Sequence, residues 1–281
     1  MILFCDNHGD LEVLKEILTL EDKEKVCLGD LVAYGPKSRE SVELAKEYKD
    51  VTFLKGNWEA IITGETVSNR QFVTLNTCEN LVRTLLDFYP KDGILQFVNQ
   101  NSHFEGLHPF IDEPSKIHKI KAKKFINDFY FNRLEFLPFR LRPYFPNNSL
   151  ISWLDSLELN YKLSIDAITT HGGLSNNYDL FTSTYHEFTA TYEKAQKQIE
   201  LAKKYYNVGK IFHAHTHFPT IIVGNNYYSN KKVQWDYDYP LNEIPYASLP
   251  ATGNFIRTKG IFQTGYIKIE KEENSLKFIK L

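Results

Sequence analysis

Long apolar runs are missing from this chain. Its 281 residues are 42% hydrophobic, yet no stretch approaches the ~20 consecutive apolar residues of a membrane span. An excess of one charge is missing as well. Lys and Arg number 33 against 35 Asp and Glu, so the net charge of −2 gives no global pull toward nucleic acid or an anionic membrane. Cysteine is scarce. Cys5, Cys27 and Cys78 are odd in number and form no Cys-x-x-Cys pair, which argues against a disulfide framework and for reduced, buried thiols in a cytoplasmic protein. A basic leader is lacking too, because the first apolar stretch stops at Asp6, so no signal peptide is expected. No internal repeat or low-complexity tract interrupts the chain. What remains is ordinary globular composition, with length for one large domain or two small ones.

The chain is organised around its first ten residues. Ile2, Leu3, Phe4 and Cys5 read as a short buried strand, Asp6-Asn7-His8 switches abruptly to polar, and Gly9 allows a sharp turn. Asp6 and His8 stand two apart just past a strand end, so a carboxylate and an imidazole can face one space and suit a divalent metal. The alternative is a helix cap, with Asp6 or Asp10 capping and His8 a loop residue. Residues 1–60 then repeat strand, polar turn and helix. Strands are expected at Ile2–Cys5, Lys25–Leu28 and Val51–Leu54, and helices from Leu11 and from Ser38, which could cap. Such a βαβαβ unit makes a parallel sheet covered by helices, whose polar strand ends meet in one crevice.

Residues 61 to about 150 break this rhythm and read as a helical insertion. Helical stretches are expected at 67–89, 116–132 and 149–156, with prolines as punctuation. Lys116–Lys124 carries five lysines, readable as a solvated helix face or as a phosphate-contacting lid. From Ile165 the α/β pattern returns. Ala167–Thr170 runs into His171-Gly172-Gly173, a helix is expected over Glu187–Tyr206, and Lys210–Phe212 leads into His213-Ala214-His215-Thr216-His217. The remainder reads as a β-meander forming a second sheet.

Five strand ends therefore carry metal-type donors: Asp6 and His8, Asp30, Asn57, His171, and His215 with His217. All are nitrogen and oxygen donors with no thiolate spacing, which points to a catalytic rather than a structural metal site. Seven ligands are too many for one ion and suit two that share a bridging carboxylate.

Asp6-Asn7-His8, Gly29-Asp30, Gly56-Asn57-Trp58-Glu59, His171-Gly172-Gly173 and Ala214-His215-Thr216-His217-Phe218-Pro219 resemble, in order, the motifs of the calcineurin-like metallophosphoesterases. Gly29 to Pro36 and the tail Pro250-Ala251-Thr252-Gly253-Asn254 look like those of the small bacterial branch. The resemblance spans residues 1–60 and about 150–270 and leaves the insertion without a template. It implies a four-layer α/β/β/α sandwich with two divalent ions, from among Mn, Fe, Zn and Ni with Mn favoured. By position Asp6, His8 and His217 would hold the first ion. Asn57, His171 and His215 would hold the second, with Asp30 bridging and His213 a supporting residue. Asp30, Asn57 and His171 are then the expected catalytic residues. The reaction implied is hydrolysis of a phosphomonoester or phosphodiester by a hydroxide held between the metals. A small molecule or phosphoprotein substrate is favoured over nucleic acid, with no membrane partner.

Two departures stand out. Where much of the family has a His beside the metal-binding Asn, this chain has Trp58, whose indole N–H donates a hydrogen bond but cannot deliver a proton. General acid help is worth ~10²–10⁴-fold, which leaves three options: a substrate with a good leaving group, another residue that serves, with His103, His108 and His186 as candidates, or weak catalysis. Trp58 and Tyr34 could contact substrate, or Trp58 could pack under the insertion and Tyr34 fill its turn. Ala214 replaces a usual Gly, which predicts a slightly shifted loop. A rival reading is a catalytically weak scaffold on the same fold that docks a protein partner, against which the complete ligand set argues.

Overall fold

Strand β1 (Ile2–Phe4) pairs parallel with β2 (Lys25–Cys27), and β2 with β3 (Val51–Phe53). The computed structural model describes residues 1–22, 24–65, 75–119, 131–174, 191–253 and 264–281. Helix α1 (Leu11–Thr19) links β1 to β2 and presents Val13, Leu14, Ile17 and Leu18 to the core. Asp10 caps it, accepting from Val13 N at 3.4 Å. Helix α2 (Ser38–Glu47) follows β2, and α3 (Asn57–Ile62) follows β3. Ser38, readable as the cap or as the first helical residue, is the first helical residue. Its Oγ accepts from Ala33 N at 3.0 Å and braces the turn before α2.

The open edge of β1 does not stay open. The meander expected to form the second sheet divides, and its last hairpin, β11 (Gly265–Glu270) and β12 (Ser275–Lys280), returns to pair with β1. A βαβαβ unit leaves one side of β1 with unpaired N–H and C=O groups, and the hairpin satisfies them. Strand β9 (Tyr239–Pro240) completes this sheet in the order β3-β2-β1-β11-β12-β9. The second sheet runs β4-β5-β6-β10-β7-β8. Its strands are β4 (Asn160–Leu163), β5 (Ala167–Thr170), β6 (Lys210–His213), β7 (Thr220–Val223), β8 (Asn226–Ser229) and β10 (Tyr246–Ser248).

Alternation along the strands makes the layers. Leu3, Cys5, Val26, Leu28, Phe212, Ile221, Ala247, Ile267 and Phe278 meet between the sheets. Ile2 and Phe4 point the other way, into the layer of α1, α2 and α3. Ile168, Ile211, Ile222 and Tyr246 face the helix Tyr192–Tyr206, which packs through Ala195, Leu201 and Ala202. The fold is the expected four-layer α/β/β/α sandwich. Phe212 is fully buried between the sheets. Phe212→Ala is expected to lower stability by about 3–5 kcal/mol, read as a fall in the denaturant midpoint.

Between α3 and β4 the described chain is helical: α4 (Leu75–Phe88), α5 (Lys91–Gln100), α6 (His108–Asp112), α7 (Phe131–Tyr144) and α8 (Ser149–Asp155). Leu85, Phe97, Leu107, Leu137 and Leu141 join the same apolar cluster as Phe4, Val42 and Trp58. Helix α7 holds Pro138 and Pro143 within it, so reading every proline as a stop misses it. It crosses Gly64 so closely that a Cβ there would meet Phe139 Cα at 2.6 Å. Arg142 donates to both Asp155 carboxylate oxygens, and buried Lys55 bonds Glu65 Oε1 and the Asp155 carbonyl. The lysine run begins in a short 3-10 helix, Pro114–Lys119, where a helix over 116–132 was expected. Residues 120–130 lie outside the described residues.

Candidate functional site

Two turns of the first sheet are laced together before any side chain enters. Asp6 N donates to Gly29 O at 3.0 Å, His8 N to Asp30 O at 2.9 Å and Gly9 N to Leu31 O at 2.6 Å. The β2 and β3 turns press closer still. A Cβ on Gly29 would fall 2.5 Å from Gly56 N, and one on Gly56 would fall 2.2 Å from Asp30 Oδ1. This is the physical reason both ligand-bearing turns open with glycine. The closing loop seals the far side: Thr252 N and Oγ1 donate to Cys5 O at 3.0 and 2.7 Å, and Gly253 N donates to Asp6 O at 3.2 Å.

These turns bring the sequence candidates together. Asp6, His8 and His217 form one group of converging donor atoms, and Asp30, His171 and His215 form a second. Asn57 joins the second group, its Oδ1 lying 2.9 Å from His171 Nε2, while His171 Nε2 lies 3.0 Å from His215 Nδ1. Asp30 stands between the groups, with Oδ2 3.4 Å from His171 Nε2 and 3.8 Å from His8 Nε2. Five of these residues, Asp6, His8, Asp30, His215 and His217, have left-handed backbones with φ between 50° and 65°. Each costs on the order of 1 kcal/mol, a strain retained where a loop must aim a side chain. Ala214 has no positive φ; the left-handed residue is His215, so the missing glycine brings no backbone strain at that position.

The donor set has the form of a cation site. Each carboxylate has one oxygen tied to the backbone and one left over. Asp30 Oδ1 accepts from Trp58 N at 2.9 Å, and Asp6 Oδ2 accepts from His215 N at 3.1 Å. His8 Nδ1 lies 3.0 Å from Val32 O, and His171 Nδ1 lies 2.8 Å from Leu28 O. Donation to those carbonyls places a proton on Nδ1 and aims Nε2 inward. Among the described residues, fully buried Asp6 Oδ1 and His8 Nε2 have no hydrogen-bond partner, although His217 Nε2 faces Asp6 Oδ1 at 3.4 Å; this is the mark of groups aimed at something other than protein. Rotating the Asn57 amide would put its nitrogen 2.9 Å from His171 Nε2, 2.5 Å from His215 Nδ1 and 3.2 Å from Asp30 Oδ2. Three acceptors around one point are what a cation satisfies.

Electrostatics agree. Burial works against the His171 imidazolium, but Asp30 beside it, with Asp6 and Glu59, drives the pKa up to about 9. Burial raises Asp6 and Asp30, yet His217 and His171 respectively hold them below the usual carboxylate range. The site favours positive charge. His215 is pushed down to about 3 by burial and then by His171, which keeps it neutral, the form that binds a metal.

The remaining candidates separate. His213 bonds Tyr246 Oη at 2.6 Å and stays outside both groups. Trp58 is only 4% exposed and packs edge-on against Tyr34 at 5.3 Å, so it offers the site its backbone N–H and a rigid backing rather than an open indole face. Half-buried Tyr34 stands edge-on to His8 at 4.9 Å, and burial and then Asp30 push its phenol up to about 12. His108 is exposed at the start of α6. His186 and the His103 side chain lie outside the described residues. Sequence reasoning gave no role to Glu59, which accepts four backbone N–H groups at the heart of the site. Its position at the third residue of α3 signals a capping box but not the reach into the next turn.

Among the described residues no helix is long and apolar enough to cross a membrane. No curated protein matches the sequence significantly. Solved structures do. A metallophosphoesterase from Sphaerobacter thermophilus is 15% identical over 100% of this chain and 87% of its own, with a TM-score of 0.57. A cold-active protein-tyrosine phosphatase of a Shewanella species is 13% identical over 99% of this chain and 79% of its own, with a TM-score of 0.49. At such identities the first likeness speaks for the fold alone. The calcineurin-like phosphoesterase family model matches residues 2–246. The chain belongs to the calcineurin-like phosphoesterase family.

Proposed function

We propose that this chain hydrolyses a phosphomonoester or phosphodiester with two divalent cations held by seven side chains. The family acts on phosphoesters and uses a dinuclear divalent metal centre. The observation that carries the reading is the position of Asp30, one carboxylate oxygen poised between two imidazole groups. Asp6, His8 and His217 would hold one cation, Asn57, His171 and His215 the other, and Asp30 would serve both. Bound there, two cations would withdraw charge from the phosphoester oxygens and lower the pKa of water between them. The chain's own part is orientation. Backbone carbonyls fix the tautomers of His8 and His171, and backbone N–H groups fix the rotation of Asp6 and Asp30. Tyr34 keeps its proton at neutral pH and is the proposed hydrogen-bond donor to substrate. Mn is the proposed ion, a small molecule or phosphoprotein the proposed substrate, and the cytoplasm the proposed location.

The test is turnover of an aryl phosphodiester and its monoester by purified protein with Mn²⁺, with and without chelator. Chelator-sensitive turnover that Mn²⁺ restores is the expected result, and the faster ester identifies the bond class. Turnover indifferent to chelation and reloading would overturn the reading.

A further inference from the structure

We propose that Glu59 is a positioning residue that sets the spacing between the turn carrying Asp30 and the turn carrying Asn57, and so governs uptake of the second cation. The proposal rests on the two-cation reading. Glu59 is fully buried. Its Oε2 accepts from Asp30 N and Gly56 N, both at 2.8 Å, and its Oε1 from Leu31 N at 2.8 Å and Val32 N at 3.3 Å. A glutamate at this position of a helix ordinarily reaches back only to its own N-cap N–H. Here one bond does that, to Gly56, and three cross to the β2 turn.

The two turns touch backbone to backbone at Gly29 and Gly56. The Glu59 carboxylate is the span across that contact. Trp58 N, one residue before Glu59, also bonds Asp30 Oδ1, so a shift of α3 would rotate the carboxylate that serves both cations. A carboxylate suits the role because both its oxygens accept. Glutamine would turn an NH₂ toward one pair of N–H groups, and aspartate, one methylene shorter, cannot span both turns.

Calorimetric titration of metal-free protein with Mn²⁺ alone tests this, on wild type, Glu59→Gln, Glu59→Asp and Val42→Ala. The last removes methyl groups from the outer apolar layer, on α2, and replaces no residue of either turn. Wild type is expected to bind two ions. Both Glu59 variants are expected to keep the ion at Asp6, His8 and His217 and to lose ~10–100-fold in affinity at Asp30, Asn57, His171 and His215, the scale found for groups that orient metal ligands. Turnover number falls with the second ion while KM holds. Val42→Ala is expected to unfold at a lower temperature with both affinities intact. Wild-type affinity for both ions in folded Glu59→Gln and Glu59→Asp overturns the proposal, as does an equal loss in Val42→Ala. Fewer than two ions on wild type overturns the two-cation reading itself, which keeps the two failures distinct.

Discussion

Asp30→Asn is expected to abolish phosphoester turnover while leaving the protein folded. The exchange keeps the shape of the side chain and removes one charge. With its oxygen kept toward Trp58 N, the new amide would point its NH₂ where Asp30 Oδ2 now faces His171 and His8. That donor repels a cation at the one position both groups share. Truncating one partner of a buried charge pair costs about 2–5 kcal/mol of binding, or ~10–10⁴-fold in affinity. The fold should persist, because Asp30 N still donates to Glu59 and the glycine contact beneath it is untouched. Turnover at saturating Mn²⁺ and the unfolding midpoint, measured together, check this. Wild-type turnover in the folded variant would sink the dinuclear assignment.

The second large effect is structural. Gly56→Ala is expected to lose both stability and cation uptake, although Gly56 has an ordinary φ of −91°. A Cβ there would sit 2.2 Å from Asp30 Oδ1, 2.4 Å from Asp30 N and 2.7 Å from Glu59 Oε2. Backbone cannot swing aside as a side-chain tip can, so the cost should reach or pass the ~1–3 kcal/mol usual for overpacking. Gly224→Ala supplies the comparison. Its φ of 56° is unfavourable to alanine, but the nearest atom to its added Cβ, Glu243 Oε2, is 3.9 Å away. Denaturation midpoints for the pair separate crowding from backbone conformation. A smaller loss in Gly56→Ala than in Gly224→Ala would refute the crowding argument.

Much of this was legible in the sequence because short apolar runs ending in polar residues carry their own meaning. Asp6, His8, Asp30, Asn57, His171, His215 and His217 were nominated by position after strands, and all stand at such ends in the fold. Which sheet edge a late hairpin joins was not legible, since alternation in β11 and β12 fits either sheet. Helix α7 was hidden by its own prolines; burial of Leu137 and Leu141 outweighs them. Glu59 drew no role from the sequence, because hydrogen bonds that cross from one turn to the backbone N–H groups of another leave no trace in side-chain pattern. Packing of Trp58 under the insertion was weighed against substrate contact, and only the fold could decide how little of the indole is exposed.

The helices between α3 and β4 share one apolar layer with α1, α2 and α3, and α7 lies against Gly64 with no room for a methyl group. Such a segment is not a cassette. Grafting it onto another sandwich would require Gly64, Val42 and the outward face of β1 to travel with it. Deleting it would strip a wall from the first sheet rather than uncap a finished domain. Its sequence is therefore expected to be inherited as a block with the ligand-bearing turns beneath it, and swaps between relatives should succeed only when the cut points fall outside both.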